Sequence, residues 1–430
     1  MKFSSDRLAQ LLEGELGADA VTGERALLAA HNVDGREPAL LCFPATPEQI
    51  AAALRLCSEA SATVTPWGGG TAMGIGNPPR QVDVVIGLER LRLLVEHDQA
   101  NLTATVQSGS TLTALQKRLA RHNHFLPFDP PNAARATVGG VVATNLNGPR
   151  RSYYGGVRDL VIGMKIALAS GEQIKAGGKV VKNVAGYDMC KLFVGSLGTL
   201  GIITEVTLRM APIPETAATL ISSGTLPQVQ QFADELSRSK LLPSSVFLLS
   251  PKASKARDWR AAVWCEGFEE TVARHLRDAL AMAQRIGLAA ETLRDKAHRR
   301  LWDEICDFPL EAGRLVHRVI IPRASITEFV RTILDCHSTE FEPAVALDAT
   351  IGTVWIASPA NDSSAGQFAK MNALARELSG HAIVLVAPLA LKEGLDVWGP
   401  PAVGLSLMRE IKRQFDPRNL LNPGRFVAGI

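Results

Sequence analysis

Apolar residues in the first half of the chain fall in short runs separated by glycine- and proline-rich turns. Residues 39–43, 63–66, 82–86, 93–96, 102–107, 161–168, 173–176 and 202–208 read as strands, with Ser170-Gly171 turning 161–168 and 173–176 into a hairpin. Helical spacing appears over residues 4–16 and over 111–122, where Leu112, Leu115 and Leu119 share one face. A third helix, to about Ala60, opens with Thr46-Pro47-Glu48-Gln49, a capping box with proline at the first helical position. Composition shifts at Ala211-Pro212-Ile213-Pro214, the mark of a domain boundary. Beyond it, helices are predicted at 227–239, 269–286, 294–306, 327–334, 366–378 and 403–415. Strands are predicted at 245–249, 261–266, 315–321, 353–357 and 383–386. Strands and helices in this alternation predict an α+β layer with helices on one face of a sheet.

The pattern is interrupted by residues 126–148, LPFDPPNAARATVGGVVATNLNG. Pro127, Pro130 and Pro131 hold the approach extended. Thr137, Gly139 and Gly140 then leave the backbone bare at the start of a short helix, which suits a flat or phosphorylated ligand lying against the main chain. A second bare stretch follows the 63–66 strand: Trp67-Gly68-Gly69-Gly70-Thr71-Ala72. Three successive glycines can turn consecutive N–H groups inward as an anion nest fit for a pyrophosphate. No GxGxxG aligns here, Asn77-Pro78-Pro79 blocks the helix that motif needs, and no GKS or GKT follows. Three arginines and two of the three tyrosines gather in residues 150–159, either as a solvated surface loop or as part of a site.

At 430 residues with 46% apolar composition, the chain has material for two cored domains. A net charge of +3 from 46 basic and 43 acidic residues forms no long block, so nucleic acid is not an expected partner. No apolar segment of spanning length appears, which predicts a cytoplasmic chain without direct membrane insertion. The six cysteines (Cys42, Cys57, Cys190, Cys265, Cys306, Cys336) form no CxxC pair and read as buried reduced thiols. With no HExxH, and with His122 and His124 beside Asn123 reading as a polar helix end, no metal site is expected. The absence of GxSxG and Walker-type sequences sets hydrolase and kinase chemistry aside.

Four features in this order resemble the PCMH-type FAD-binding fold of the vanillyl-alcohol oxidase superfamily: the glycine loop of 66–76, the proline-rich approach to ATVGGVVATN, the YGGVRDLVIG stretch, and GYDMCKLFVGSLGTLGIITEV. The closing KRQFDPRNLLNPGRF resembles that of the 2-hydroxyacid dehydrogenase branch, within which the chain is similar to FAD-binding subunits of glycolate oxidase complexes. The resemblance implies an α+β architecture: an FAD-binding domain of two α/β subdomains over 36–214, an α+β cap over 215–402, and a segment, 403–430, returning to the FAD domain. It implies non-covalent FAD, since 66–76 holds no histidine or cysteine. Trp67, Gly68, Gly69, Gly70, Thr71 and Ala72 would surround the pyrophosphate. Pro131, Thr137, Gly139, Gly140 and Ala143 would line the flavin and ribityl chain, joined by Gly201, Ile202, Ile203 and Asn422.

The resemblance also implies an FAD-dependent oxidoreductase acting on glycolate within a complex. Its partners would be a paralogous FAD-linked subunit and an iron–sulfur subunit, and any contact with the inner membrane would come through them. A self-sufficient D-2-hydroxyacid (D-lactate) dehydrogenase and a non-catalytic structural subunit are the alternatives. Catalytic relatives of the branch carry HxGDGNxH and EHG motifs, whereas residues 346–354 here read ALDATIGTV and no EHG occurs. The base is therefore unassigned. Arg318, in an apolar strand pattern beside His317, is the one candidate for holding a carboxylate.

Overall fold

The computed structural model describes residues 4–178, 188–310, 315–335, 343–400 and 403–430. Residues 182–187 of the GYDMCKLF approach, and Cys336, lie outside them. The chain divides into two units. The first comprises Met1–Asn147, Gly156–Pro212 and Pro400–Ile430; the second comprises Gly148–Gly155 and Ile213–Gly399.

In the first unit, strands Leu40–Cys42, Val84–Gly87 and Val64–Trp67 form a parallel sheet, with Val21–Thr22 antiparallel at its edge. These strands are mostly apolar because the sheet is covered, and helices Ser5–Leu16 and Pro47–Glu59 supply Leu8, Leu12, Ile50 and Leu54 to the core. Thr46 caps the second helix, accepting from the Gln49 N–H at 3.2 Å. The Gln49 side chain returns to the Ala45 N–H at 2.7 Å, closing the predicted box one residue early. A five-stranded antiparallel sheet follows, in the order Leu94–Asp98, Thr103–Gln107, Ile202–Arg209, Val161–Ala167, Gln173–Gly177. Against it pack helices Leu112–Leu119 and Val138–Thr144. The C-terminal segment adds a strand-like bridge to Val64, with Val64 N–H donating to Leu420 O at 2.8 Å and Asn422 N–H to Val64 O at 2.9 Å.

The second unit is an eight-stranded antiparallel sheet ordered Ala289–Arg294, Thr216–Gly224, Trp259–Gly267, Ser245–Leu249, Ala344–Asp348, Thr353–Ser358, Leu315–Ile320, His381–Val386. Helices Leu226–Arg238, Glu269–Ile286, Ile326–Asp335 and Ser364–Glu377 cover one face, as the pattern predicts. Helix Asp295–Asp307 departs from that expectation and lies on the other face, where Trp302 and Ile305 pack with Phe247, Trp264 and Val316. Polar anchors fix it there: Trp302 Nε1 donates to Thr219 Oγ1 at 2.7 Å, and His298 Nδ1 meets the same hydroxyl at 2.8 Å. Three strands are new relative to the sequence pattern. Thr216–Gly224 is small and polar, Ala289–Arg294 is an exposed edge, and Ala344–Asp348 ends in a charge.

The arginine–tyrosine loop is solvated only in part: Arg151, Ser152, Tyr153, Arg158 and Asp159 are exposed, whereas the Arg150 side chain is not. Arg150 is paired with Glu266 at 3.3 Å, both side chains being nearly buried, and its guanidinium lies 4.7 Å from the Trp264 ring centre. Among the described residues, no helix is long and apolar enough to cross a membrane.

Candidate functional site

The first unit contains a cleft walled by bare backbone and small side chains. Its walls come from four places in the sequence: the glycine loop, the Pro130–Ala143 stretch, the turn into strand Ile202–Arg209, and the C-terminal return. The glycine loop is held against the second wall at distances only glycine allows. A Cβ on Gly69 would lie 1.8 Å from Arg135 O, and Gly70 has a φ of +68°. Arg135 donates to Gly69 O at 3.2 Å, which fixes the 69–70 peptide plane. The N–H groups of Gly68, Gly69, Gly70, Thr71 and Ala72 donate to no described residue, and all five residues line the cleft. A row of unpaired amides on a cleft wall has the chemistry of an anion nest.

Opposite them, Thr137 caps helix Val138–Thr144, accepting from Gly140 N–H at 3.2 Å. From the C-terminus, Asn422 is 4% exposed with a φ of +44°. Its Nδ2 donates to Leu197 O at 2.6 Å, while its buried Oδ1 has no partner among the described residues. An orphaned acceptor in a cleft is a binding group rather than a packing one. Arg425 also lines the cleft, with Nη2 donating to Met73 O at 2.7 Å and to Ile75 O. Free amides, an orphaned amide oxygen and a guanidinium fit a phosphorylated cofactor with hydrogen-bonding rings.

Of the residues singled out in the sequence, Gly68, Gly69, Gly70, Thr71, Ala72, Pro131, Thr137, Gly139, Gly140, Ala143, Gly201, Ile202, Ile203 and Asn422 all border this one cleft. Trp67 does not; its indole packs behind Gly70 and against the His31 ring, 4.8 Å between centroids. Arg425 was missed, although a cation three residues after Asn422 in NPGRF was a usable signal.

The second unit carries its own polar constellation. Arg318 opposes Trp355, and Asp348 opposes both Thr353 and Phe247, so all five side chains share one sheet face. Arg318 and Asp348 flank the strand Thr353–Ser358 from either side, about 12 Å apart at Cα from strand spacing and rise. Phe247 and Trp355 stack beside them at 5.8 Å and 15°. Asp348 is 1% exposed. Its Oδ1 accepts from the Thr350 N–H at 2.9 Å and from the Thr350 hydroxyl, and its Oδ2 has no partner among the described residues.

Burial pushes the Asp348 carboxyl up to about 6, against the opposing pull of the Thr350 hydrogen bonds and the Arg151 charge. Burial likewise brings the Arg318 guanidinium down to about 10, with Arg151 adding like-charge repulsion. Arg318 therefore feels the charge of a second cation, Arg151, and shares a sheet face with a buried carboxyl. Only the tertiary pairing reveals this, though a carboxylate closing the apolar run AVALD was a hint.

Comparison with known proteins follows the same lines. Residues 38–177 match the FAD binding domain family, and residues 400–426 match the C-terminal domain of FAD linked oxidases. The chain is 29% identical over 420 residues to glycolate oxidase subunit GlcD of Bacillus subtilis (strain 168), covering 91% of this chain and 89% of that one. It is 30% identical over 426 residues to a D-lactate dehydrogenase of Archaeoglobus fulgidus, covering 90% and 91%. In fold it matches p-cresol methylhydroxylase with a TM-score of 0.76 at 17% identity, over 98% of this chain and 96% of that one. The cleft with its row of free amides has the family expected of it: this chain belongs to the FAD-linked oxidoreductases built on a PCMH-type FAD-binding domain.

Proposed function

We propose that this FAD-dependent oxidoreductase oxidises the CH–OH carbon of a small 2-hydroxy acid, of the D-lactate or glycolate type, without needing a second flavin subunit. The observation that carries the reading is Asp348: a buried carboxyl held near 6, with one oxygen unpaired, on the same sheet face as Arg318. Oxidising a 2-hydroxy acid requires a base for the hydroxyl proton and cations for the carboxylate. Asp348 Oδ2 accepts the proton, being ionised at neutral pH. Arg318 and Arg151 hold the carboxylate, and the Arg318 guanidinium, drawn down to about 10, is cationic at neutral pH. The stacked Phe247 and Trp355 keep water from the reacting carbon on that face. When bound, FAD supplies the acceptor for the hydride that leaves the carbinol carbon.

In this reading the unpaired amides of Gly68 to Ala72 take the pyrophosphate, and Asn422 Oδ1 accepts from a donor of the cofactor. The 30% identity to a D-lactate dehydrogenase of Archaeoglobus fulgidus supports a 2-hydroxy acid of the lactate type as substrate. No covalent link is needed, because histidine and cysteine are absent from the loop. We assign the activity to the cytoplasm.

A second reading has one specific observation behind it, the histidine-free segment 346–354 in a relative of glycolate oxidase subunit GlcD. In that case the chain acts beside a paralogous FAD-linked subunit and an iron–sulfur subunit. The test is anaerobic addition of D-lactate, then glycolate, to the purified FAD-loaded chain, followed by visible absorbance. Bleaching by the lone chain, lost in Asp348→Asn, supports the first reading. Bleaching only after the other two subunits are added overturns it in favour of the second.

A further inference from the structure

We infer that Arg425 is a positioning residue for the cofactor: it braces the far side of the glycine loop so that the free amides of Gly68 to Ala72 are presented as one preformed row. The inference rests on the assignment of that cleft to FAD. Arg425 is 3% exposed, an unusual place for a guanidinium unless hydrogen bonds hold it. Its Nη2 reaches two carbonyls of the loop's exit, Met73 O at 2.7 Å and Ile75 O. The backbone on either side repeats the attachment, with Asn77 N–H donating to Arg425 O at 3.1 Å and Arg80 N–H to Pro423 O at 2.8 Å. Burial draws the guanidinium down to about 10, and the Asp34 charge opposes this.

The physical consequence is preorganisation. A loop of three glycines has the largest backbone freedom to lose, so an unbraced loop would meet a phosphate as an ensemble. Arg135 fixes the peptide at 69–70 from one side, and Arg425 fixes the exit at 73–75 from the other. Of the five unpaired amides, those of Gly70, Thr71 and Ala72 lie on or between these two braces. Arg425 comes from the C-terminal return, some 350 residues away in sequence, so formation of the cofactor site requires that return to be docked. One nitrogen of a rigid planar guanidinium donates to both carbonyls, and a lysine ammonium on its flexible stem lacks that rigidity.

The experiment compares Arg425→Met, Arg425→Lys and Asn422→Ala. FAD is titrated into each apoprotein and followed by quenching of flavin fluorescence, beside apoprotein thermal unfolding. We expect Arg425→Met to bind FAD at least tenfold more weakly while still melting cooperatively, with Arg425→Lys restoring only part of the loss. Asn422→Ala, which removes the orphaned acceptor, weakens binding as well. FAD affinity within twofold of the parent in both Arg425 variants, with Asn422→Ala still weakened, overturns the role of Arg425 alone. Unchanged affinity in all three overturns the assignment of the cleft on which it rests. Should Arg425→Met fail to fold, Arg425→Lys decides by the same twofold criterion.

Discussion

Replacing Asp348 by asparagine should separate stability from catalysis, and the size of the effect follows from its burial. A carboxyl held at about 6 rather than its ordinary 3.8 binds its proton more tightly in the folded than in the unfolded chain. Between these two values the folded state carries the extra proton, so stability from this group is complete below about 4 and falls as pH rises through 6. Above 6 the full penalty stands, about 3 kcal/mol at about 1.36 kcal/mol for each tenfold change in proton affinity. Asparagine carries no such penalty. It keeps an oxygen for the Thr350 donors but buries an amide N–H₂ where Oδ2 had no partner, a roughly constant cost of about 1–3 kcal/mol.

The quantity to measure is therefore the pH trend rather than a single melting point. Thermal unfolding of parent and Asp348→Asn between pH 4 and pH 8 should show the difference moving in favour of the variant by about 3 kcal/mol, roughly 6–12 °C for a unit of this size. Contributions from all other groups cancel in that difference. In the same variant, turnover should fall by about 10²–10⁴, and the parent's kcat/KM should rise with pH through an inflection near 6. Parallel melting curves across the range, or a variant that turns over at the parent rate, would refute the reasoning.

Three further outcomes are expected. Arg318→Met should lower kcat/KM for 2-hydroxy acids by about 10–100-fold, since a charge-assisted hydrogen bond contributes about 1.5–3 kcal/mol. Steady-state kinetics should show no such loss for an alcohol without a carboxylate, however slowly it reacts. Lys412→Met should destabilise the first unit by about 3–5 kcal/mol in urea unfolding, because it strands the buried Asp416. In the parent, Lys412 Nζ donates to Asp416 Oδ2 at 2.6 Å, Thr199 O at 2.7 Å and Leu421 O at 2.9 Å. Burial pushes Cys57 and Cys265 up to about 12 and Cys190 to about 11, and Cys42 also lies well above its ordinary value. These four thiols should react with a thiol-titrating disulfide only after denaturation. Rapid labelling of any of them in the native protein, located by mass spectrometry, contradicts that burial.

The local order of this protein was written in its sequence wherever one short-range rule acts alone. Thr46 and Pro47 start a helix because a hydroxyl and a fixed φ need no distant partner, and the helix Glu269–Ile286 follows from its apolar face. The glycine loop could likewise be read as an anion nest, since bare amides are a property of the residues themselves. Tertiary structure decided what depends on which strands become neighbours. Thr216–Gly224 is a strand because partners flank it on both sides, not because its threonines, alanines and serines demand one. Helix Asp295–Asp307 crosses to the opposite face because Thr219 offers a buried hydroxyl to Trp302 and His298. Asp348 and Arg318 are thirty residues apart in the chain, and only the strand between them sets carboxylate and guanidinium on one surface. Spacing along a chain encodes periodicity, whereas the proton affinity of a buried carboxyl depends on everything packed around it, and that is fixed only when the sheet closes.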